Sequence, residues 1–272
     1  MRRWLLFFAL LFALAAAAAP SGAEQQYLWD FDQESLKYHF SWSGIVAAEL
    51  NAYISKENDL YYISVQARTK PAIDVLWKMR DKLLIKTGAN DLLPRYYRFI
   101  QREGRYFQDI EIVFDPATNT ARAKRTNKKG KVRRRTVTVD GLYDPISAIL
   151  FLRRQPLWPD DVYKLKVFDG RRLHVLKYEV IGRKRIRTYR GKLWTRTVVP
   201  SLVESEKPEE VKKKVSKVLM YLTEDEPHDI VLIESDVFIG KVKAKLVEKS
   251  GGKLVVGETA GRESEGCESS AM

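Results

Sequence analysis

Apolar and polar residues alternate along most of this chain. Leu36, Tyr38, Phe40 and Trp42 are interleaved with Lys37, His39, Ser41 and Ser43, and the run ends at Gly44. Val46, Ala48, Leu50, Ala52 and Ile54 form a second apolar series; after the polar turn KEND, Tyr61, Ile63, Val65 and Ala67 form a third. A period of two puts every other side chain on the same face of an extended strand, so these segments predict a meander with one buried face. The same pattern predicts strands at 82–87, 95–101, 106–114, 120–125 and 132–139, then at 162–168, 173–181, 184–189, 193–200, 215–222, 229–234 and 238–247. EGR (103–105) and DPATN (115–119) read as turns, and Lys128-Lys129-Gly130 and VIGRKRI as hairpin tips. More than ten antiparallel strands joined this tightly curl or close, because a flat open sheet would leave long edges and an uncovered apolar face. The predicted fold is mainly β: a large antiparallel curled sheet, barrel or half-barrel.

One stretch breaks the alternation. In YDPISAILFLRRQPLWPDD, Asp144 suits a helix N-cap, Pro145 the first helical position, Arg153 and Arg154 the negative end of the helix dipole, and Pro156 a stop. The centre of this helix of about ten residues, Ala148 to Leu152, is apolar all round and so calls for burial on every side, inside or across the mouth of the curled sheet. A second short helix is expected at 72–78, with Ile73, Leu76 and Trp77 on one face.

At the N-terminus, Arg2 and Arg3 precede the apolar run 4–19 and small residues follow, the pattern of a secretory signal peptide. Cleavage after Ala23 is predicted, with Ser21 and Ala23 at the small-residue positions; the run is short for a retained membrane anchor. The expected organisation is a signal peptide (1–23), one β-rich domain (24–247) and a disordered tail (248–272) rich in Gly, Ser and Glu, with 204–214 as an Glu/Lys-rich loop. The expected location is the periplasm, with no integral span left after cleavage. The lone Cys267 has no partner for an internal disulfide.

Charge narrows the partners. The chain has 48 basic and 35 acidic residues. RAKRTNKKGKVRRR (122–135) holds nine cations with no acid, and RKRIRTYRGK (183–192) holds six. Such runs suit polyanions; export argues against nucleic acid and leaves anionic lipid or another acidic envelope polymer, with Arg133, Arg134, Arg135, Arg183, Lys184 and Arg185 as candidate contacts. The competing reading is a solvated hairpin surface.

The order of motifs resembles a family of exported bacterial proteins, domain of unknown function 3108. The resemblance rests on FSWSGIVAAEL, ANDLLPRYYRFIQREGRYFQDIEIVFD, YDPISAILFLRRQPL, YEVIGRKRI followed by YRGK, YLTEDE and IGKVKAKL, and covers roughly 33–246. It implies export and a β-rich fold, and brings no activity with it.

No catalytic signature appears: there is no nucleophile elbow, zinc-protease helix or phosphate loop. His39, His174 and His228 lack metal spacing, and no cofactor is indicated. Asp160 with Asp161, and Glu224 with Asp225 and Glu226, sit at apparent turns, where carboxylates serve local hydrogen bonds. Two function classes remain, with an enzyme a distant third. One is a binding protein for a lipid-like or other amphiphilic, anionic envelope ligand, its cavity lined by Tyr38, Phe40, Trp42, Leu150 and Trp158. The other is a non-catalytic structural or interaction protein of the envelope with a filled core.

Overall fold

The computed structural model describes residues 33–205, 218–225, 227–237 and 240–252. The predicted signal peptide, most of the 204–214 loop, Glu226, Cys267 and all but the start of the predicted tail lie outside the described residues.

Among the described residues, fifteen strands form a single sheet. The first eight are β1 (Gln33–Trp42), β2 (Ile45–Glu57), β3 (Leu60–Thr69), β4 (Arg80–Gly88), β5 (Pro94–Glu103), β6 (Tyr106–Asp115), β7 (Thr120–Asn127) and β8 (Val132–Thr138). The rest are β9 (Leu142–Tyr143), β10 (Val162–Phe168), β11 (Leu173–Thr188), β12 (Gly191–Ser205), β13 (Val218–Thr223), β14 (Ile230–Val237) and β15 (Gly240–Gly251). The helices among the described residues are α1 (Pro71–Asp74) and α2 (Pro145–Arg153). The spatial order is β8-β7-β6-β5-β4-β3-β2-β1-β15-β14-β13-β12-β11-β10-β9, so the two ends of the described chain meet in the middle of the sheet where β1 pairs with β15. The sheet curls without closing into a hydrogen-bonded barrel, and β8 and β9 are its edges.

Side chains and one loop close the seam between those edges. The β10–β11 loop lies against β6: a Cβ on Gly170 (φ +79°) would stand 2.5 Å from Ile110 Cγ2, so only glycine permits the approach. Arg135 of β8 donates to the Arg171 carbonyl at 2.9 Å and stacks over Phe168, whose ring is fully buried.

The core has two main parts, and α2 belongs to both. Leu150 belongs to the cluster that holds Ile63, Leu83, Ile85, Phe99 and Ile112 of the first half; Ala148 and Leu152 belong to the one that holds Leu165, Leu176, Tyr178 and Val198 of the second. Full burial of each large aliphatic or aromatic side chain contributes about 1.5–3 kcal/mol, so the helix is what makes one core of the two faces. Its N-cap forms as predicted: Asp144 accepts from the Ile146 and Ser147 amides at 2.7 and 3.2 Å. The Ser147 hydroxyl also reaches Thr87 at 2.8 Å, fixing the helix start to the end of β4. From there α2 crosses one end of the sheet's interior, and Arg153 in its last turn reaches β1.

Two local expectations are corrected, and one strand is added. VIGRKRI does not turn: β11 runs on through Gly182, whose φ of +142° absorbs a register shift against β12, and the chain reverses at Tyr189–Arg190 instead. The segment 72–78 yields only the four-residue α1, and Leu76, expected on one face with Ile73 and Trp77, is 80% exposed while Trp77 is part-buried. The two-residue strand β9, parallel to β10, has no period long enough to see in the sequence.

Candidate functional site

The concave face of the sheet is the candidate site, and its two ends differ. At the end crossed by α2, four charges are buried together. Arg153 donates two hydrogen bonds of 2.7 Å to Glu34, one of 3.1 Å to Asp229 and one of 2.9 Å to the His228 carbonyl. Lys249 completes the group at 2.6 Å from Asp229 and 3.1 Å from Glu34. Two cations face two carboxylates, so the group is neutral. Burial pushes Glu34 up, but the charges and hydrogen bonds of Arg153 and Lys249 outweigh it and hold the carboxyl below its ordinary value. Tyr38 is close by, donating to the Ile230 carbonyl at 2.9 Å, and burial raises its phenol far above the usual range. The quartet ties the helix end to β1, β15 and the turn before β14; with every charge paired, it is a clamp and not a reactive centre.

From the quartet toward the far end, the concave side of β1 becomes more exposed than at Glu34 and Leu36. Tyr38, Phe40 and Trp42 follow one another along the concave side of β1, all half-buried. Phe40 stands opposite Ala48 on β2 and Ala244 on β15, a large ring between two small side chains. Ala48, Ala67 and Met79 are buried beside it, and Phe40, Leu50 and Trp77 pack against them part-exposed.

Beside this row lies a polar patch on the same face. Asp81, Gln101, Glu103 and Gln108 are buried. Asp81 accepts from the Arg102 amide at 2.7 Å, and Gln101 donates to Glu103 at 2.7 Å. The second carboxyl oxygen of Asp81 is buried without a hydrogen-bond partner. Burial raises Asp81 to about 8 and the charge of Glu103 adds to the effect; burial raises Glu103 as well. Burial thus favours a proton held within the pair. Arg171 enters from the β10–β11 loop, donating to Tyr106 Oη at 2.7 Å and to Gln108 Oε1.

The histidines stand apart. His174 shares a buried face with Leu176, Tyr178 and Val180, its Nε2 3.8 Å from Asp169. His228 Nδ1 lies 2.6 Å from the Thr223 carbonyl, and His39 is half-buried on β1. Among the described residues no cluster of three or more His, Cys, Asp or Glu is placed to hold a metal.

The sequence-predicted site residues scatter over these regions. Tyr38, Phe40 and Trp42 share the concave face. Leu150 is 3% exposed within the packed core, and Trp158 is 61% exposed beneath the Arg196 guanidinium. Arg133 and Arg134 are exposed on β8, whereas Arg135 is half-buried at the seam. Arg183 is paired with Glu224 at 2.6 Å and lies over Trp194, as does Arg185; Lys184 donates to Tyr221 Oη at 3.2 Å. Asp161 accepts from the Trp158 amide and Tyr163 Oη, a local turn role. Sequence reasoning missed the quartet and the carboxyl patch, although a signal existed: Glu34 is in phase with Leu36 and Tyr38, and Asp81 with Leu83 and Ile85.

The family profile described as "Protein of unknown function (DUF3108)" matches residues 37–247. No curated protein matches the sequence. Among solved structures, a β-barrel-like protein of domain of unknown function DUF1849 from Brucella abortus is 10% identical, with a TM-score of 0.52 over 81% of this chain and 98% of that one. An exported-protein candidate with a YmcC-like fold from Bacteroides fragilis is 7% identical, with a TM-score of 0.35 over 80% and 96% of the two chains. The first likeness shows a shared β-barrel-like fold and nothing about activity. No helix among the described residues is long and apolar enough to cross a membrane.

Proposed function

This chain belongs to the DUF3108 family of proteins of unknown function, and from the site alone we propose that it is a non-catalytic binding protein of the cell envelope that holds the apolar part of an amphiphilic, anionic ligand. The observation that carries this reading is the row Tyr38, Phe40 and Trp42, half-buried on a concave face whose other end is packed solid around α2. Aromatic side chains beside small ones are what a lipid-type cavity uses, and Phe40 stands between Ala48 and Ala244. The N-terminal Arg2-Arg3 and apolar run support export to the periplasm. Arg133 and Arg134, exposed on β8, are the candidate contacts to an anionic headgroup or surface; in the second cluster Arg183 already has Glu224 as partner.

Native mass spectrometry of the protein purified from its own envelope tests the proposal: a co-purifying amphiphile is expected. A fluorescent fatty-acid probe should accept excitation energy from the protein, and Trp42→Phe should weaken that transfer. A protein that carries no extra mass and ignores the probe would favour the second reading, a surface-acting envelope protein with a filled core. The tight packing of Leu150 and Leu152 on α2 is the observation behind that alternative.

A further inference from the structure

We infer that the end of the sheet opposite α2 is a docking rim for an anionic lipid surface, with Val75 and Leu76 as the side chains that enter the bilayer. In an antiparallel sheet alternate turns fall at one end. The turn at Ser43–Gly44, the 70–79 connection, the turn at Gly104 and the turn at Lys128–Lys129 therefore share the end away from α2.

Two apolar pairs project there. Val75 is 88% exposed and Leu76 80%, and on the neighbouring hairpin Ile45 is 65% and Val46 40% exposed. Single exposed aliphatics are ordinary; adjacent pairs on neighbouring turns are a patch. The Lys70 amide donates to the Ala47 carbonyl at 2.9 Å, tying the two turns together. The support is held in place as well. The Leu76 and Trp77 amides both donate to the Ile73 carbonyl at 2.9 Å, and Arg80 donates to Asp74 at 3.0 Å. Trp77 turns inward, packing against the cluster of Ala48, Ala67 and Met79, so the outward direction of Val75 and Leu76 is imposed by an anchored neighbour.

Charge identifies the partner. Around α1, four cations, Arg68, Lys70, Lys78 and Arg80, face two carboxylates, Glu49 and Asp74, and each carboxylate is already paired within the group. The Lys128–Lys129 turn adds exposed cations at the same end, Lys128, Lys129, Lys131 and Arg133. Aliphatic tips inside a basic surround match the boundary between acyl chains and anionic headgroups, and a purely apolar protein partner would gain nothing from the cations. The exposed Trp158 and Trp194, by contrast, are stacked with arginines, and two cations of their region are neutralised by Glu224 and Asp225. For its purpose the assignment rests on the amphiphile-binding reading, since a docked rim would bring the row from Trp42 to Tyr38 next to the lipid.

The test is co-sedimentation with vesicles of phosphatidylcholine alone and of phosphatidylcholine with phosphatidylglycerol. The parent should bind the anionic vesicles, and a Val75→Asp, Leu76→Asp variant should bind them at least about tenfold more weakly, with unchanged melting because both positions are exposed. In a second measurement, an environment-sensitive dye on Leu76→Cys, in a Cys267→Ser background, should brighten and shift to the blue only with anionic vesicles. Equal binding by the parent and the double aspartate variant, or a dye that does not respond, overturns the inference. So does a parent dimer that the same substitutions dissociate without changing vesicle binding, which would make the patch a contact between copies. The fatty-acid probe separates the two proposals: if the parent ignores it yet vesicle binding depends on Val75 and Leu76, the cavity reading falls and the rim stands.

Discussion

Replacing Arg153 by methionine would remove one of four buried charges while keeping much of the side chain's volume. In the parent, Arg153 and Lys249 balance Glu34 and Asp229. In the variant Lys249 alone faces two carboxylates, and Glu34 loses both of its 2.7 Å hydrogen bonds from the guanidinium. Breaking a buried pair from one side costs about 3–5 kcal/mol, most of it the penalty of the charge left behind. That reasoning makes a sharper prediction for the double variant Arg153→Met, Glu34→Gln, in which neutrality returns. It should be more stable than the sum of the two single losses implies, by roughly 1–3 kcal/mol of coupling. Urea unfolding of the parent, the two single variants and the double variant gives the cycle. The pH dependence supplies an independent sign. Glu34 is held below its ordinary 4.5 in the parent, so its contribution is present above that pH and is lost as pH falls through the folded value. Without Arg153, burial dominates and the carboxyl should be raised, so in Arg153→Met the contribution is present at low pH and lost as pH rises. Single-variant losses that add to within about 0.5 kcal/mol, or acid flanks of the same shape in parent and variant, would refute the clamp.

Leu150→Asp puts a carboxyl into the core shared by α2 and the first half of the sheet and should cost several kcal/mol, about 4 or more, read as a lower melting temperature; an unchanged melt would mean the helix contributes little to the core. Asp81, raised to about 8 by burial, contributes stability that is fully present below its unfolded value of 3.8 and is lost as pH rises through about 8. Asp81→Asn should therefore gain on the parent as pH climbs across that window, and parallel melting curves against pH would show that the carboxyl is not held neutral. Arg133→Gln with Arg134→Gln should weaken binding to acidic vesicles by roughly 1 kcal/mol per residue at low salt while leaving melting unchanged. Arg135→Gln should instead lower the melting temperature, since it holds the seam against Arg171 and Phe168.

Local chemistry could be read directly from the chain. Period-two alternation marks the strands because a strand's two faces are set by backbone geometry within a few residues, and Asp144-Pro145 marks the helix start because a cap needs only the next three residues. The need to bury α2 also followed from sequence, since a helix apolar all round has no face to give to water. Gly182 shows where local reading stops. Glycine beside a basic run suits a turn or a bulge equally, and the choice fell to β12, whose pairing continues on both sides of the shift. Arg153 was legible as a cation at a helix end, but its role depends on Glu34, 119 positions earlier, which reaches it only because β1 and β15 pair at the centre of the sheet. Asp81 stands one residue before the strand predicted at 82–87 and Glu103 was read as part of a turn, and no local pattern said whether the face they share would be wet or dry. Burial there is decided by the curl of fifteen strands and by a loop from the opposite edge, Gly170 and Arg171, and that closure is a property of long-range pairing, which no window of neighbouring residues contains.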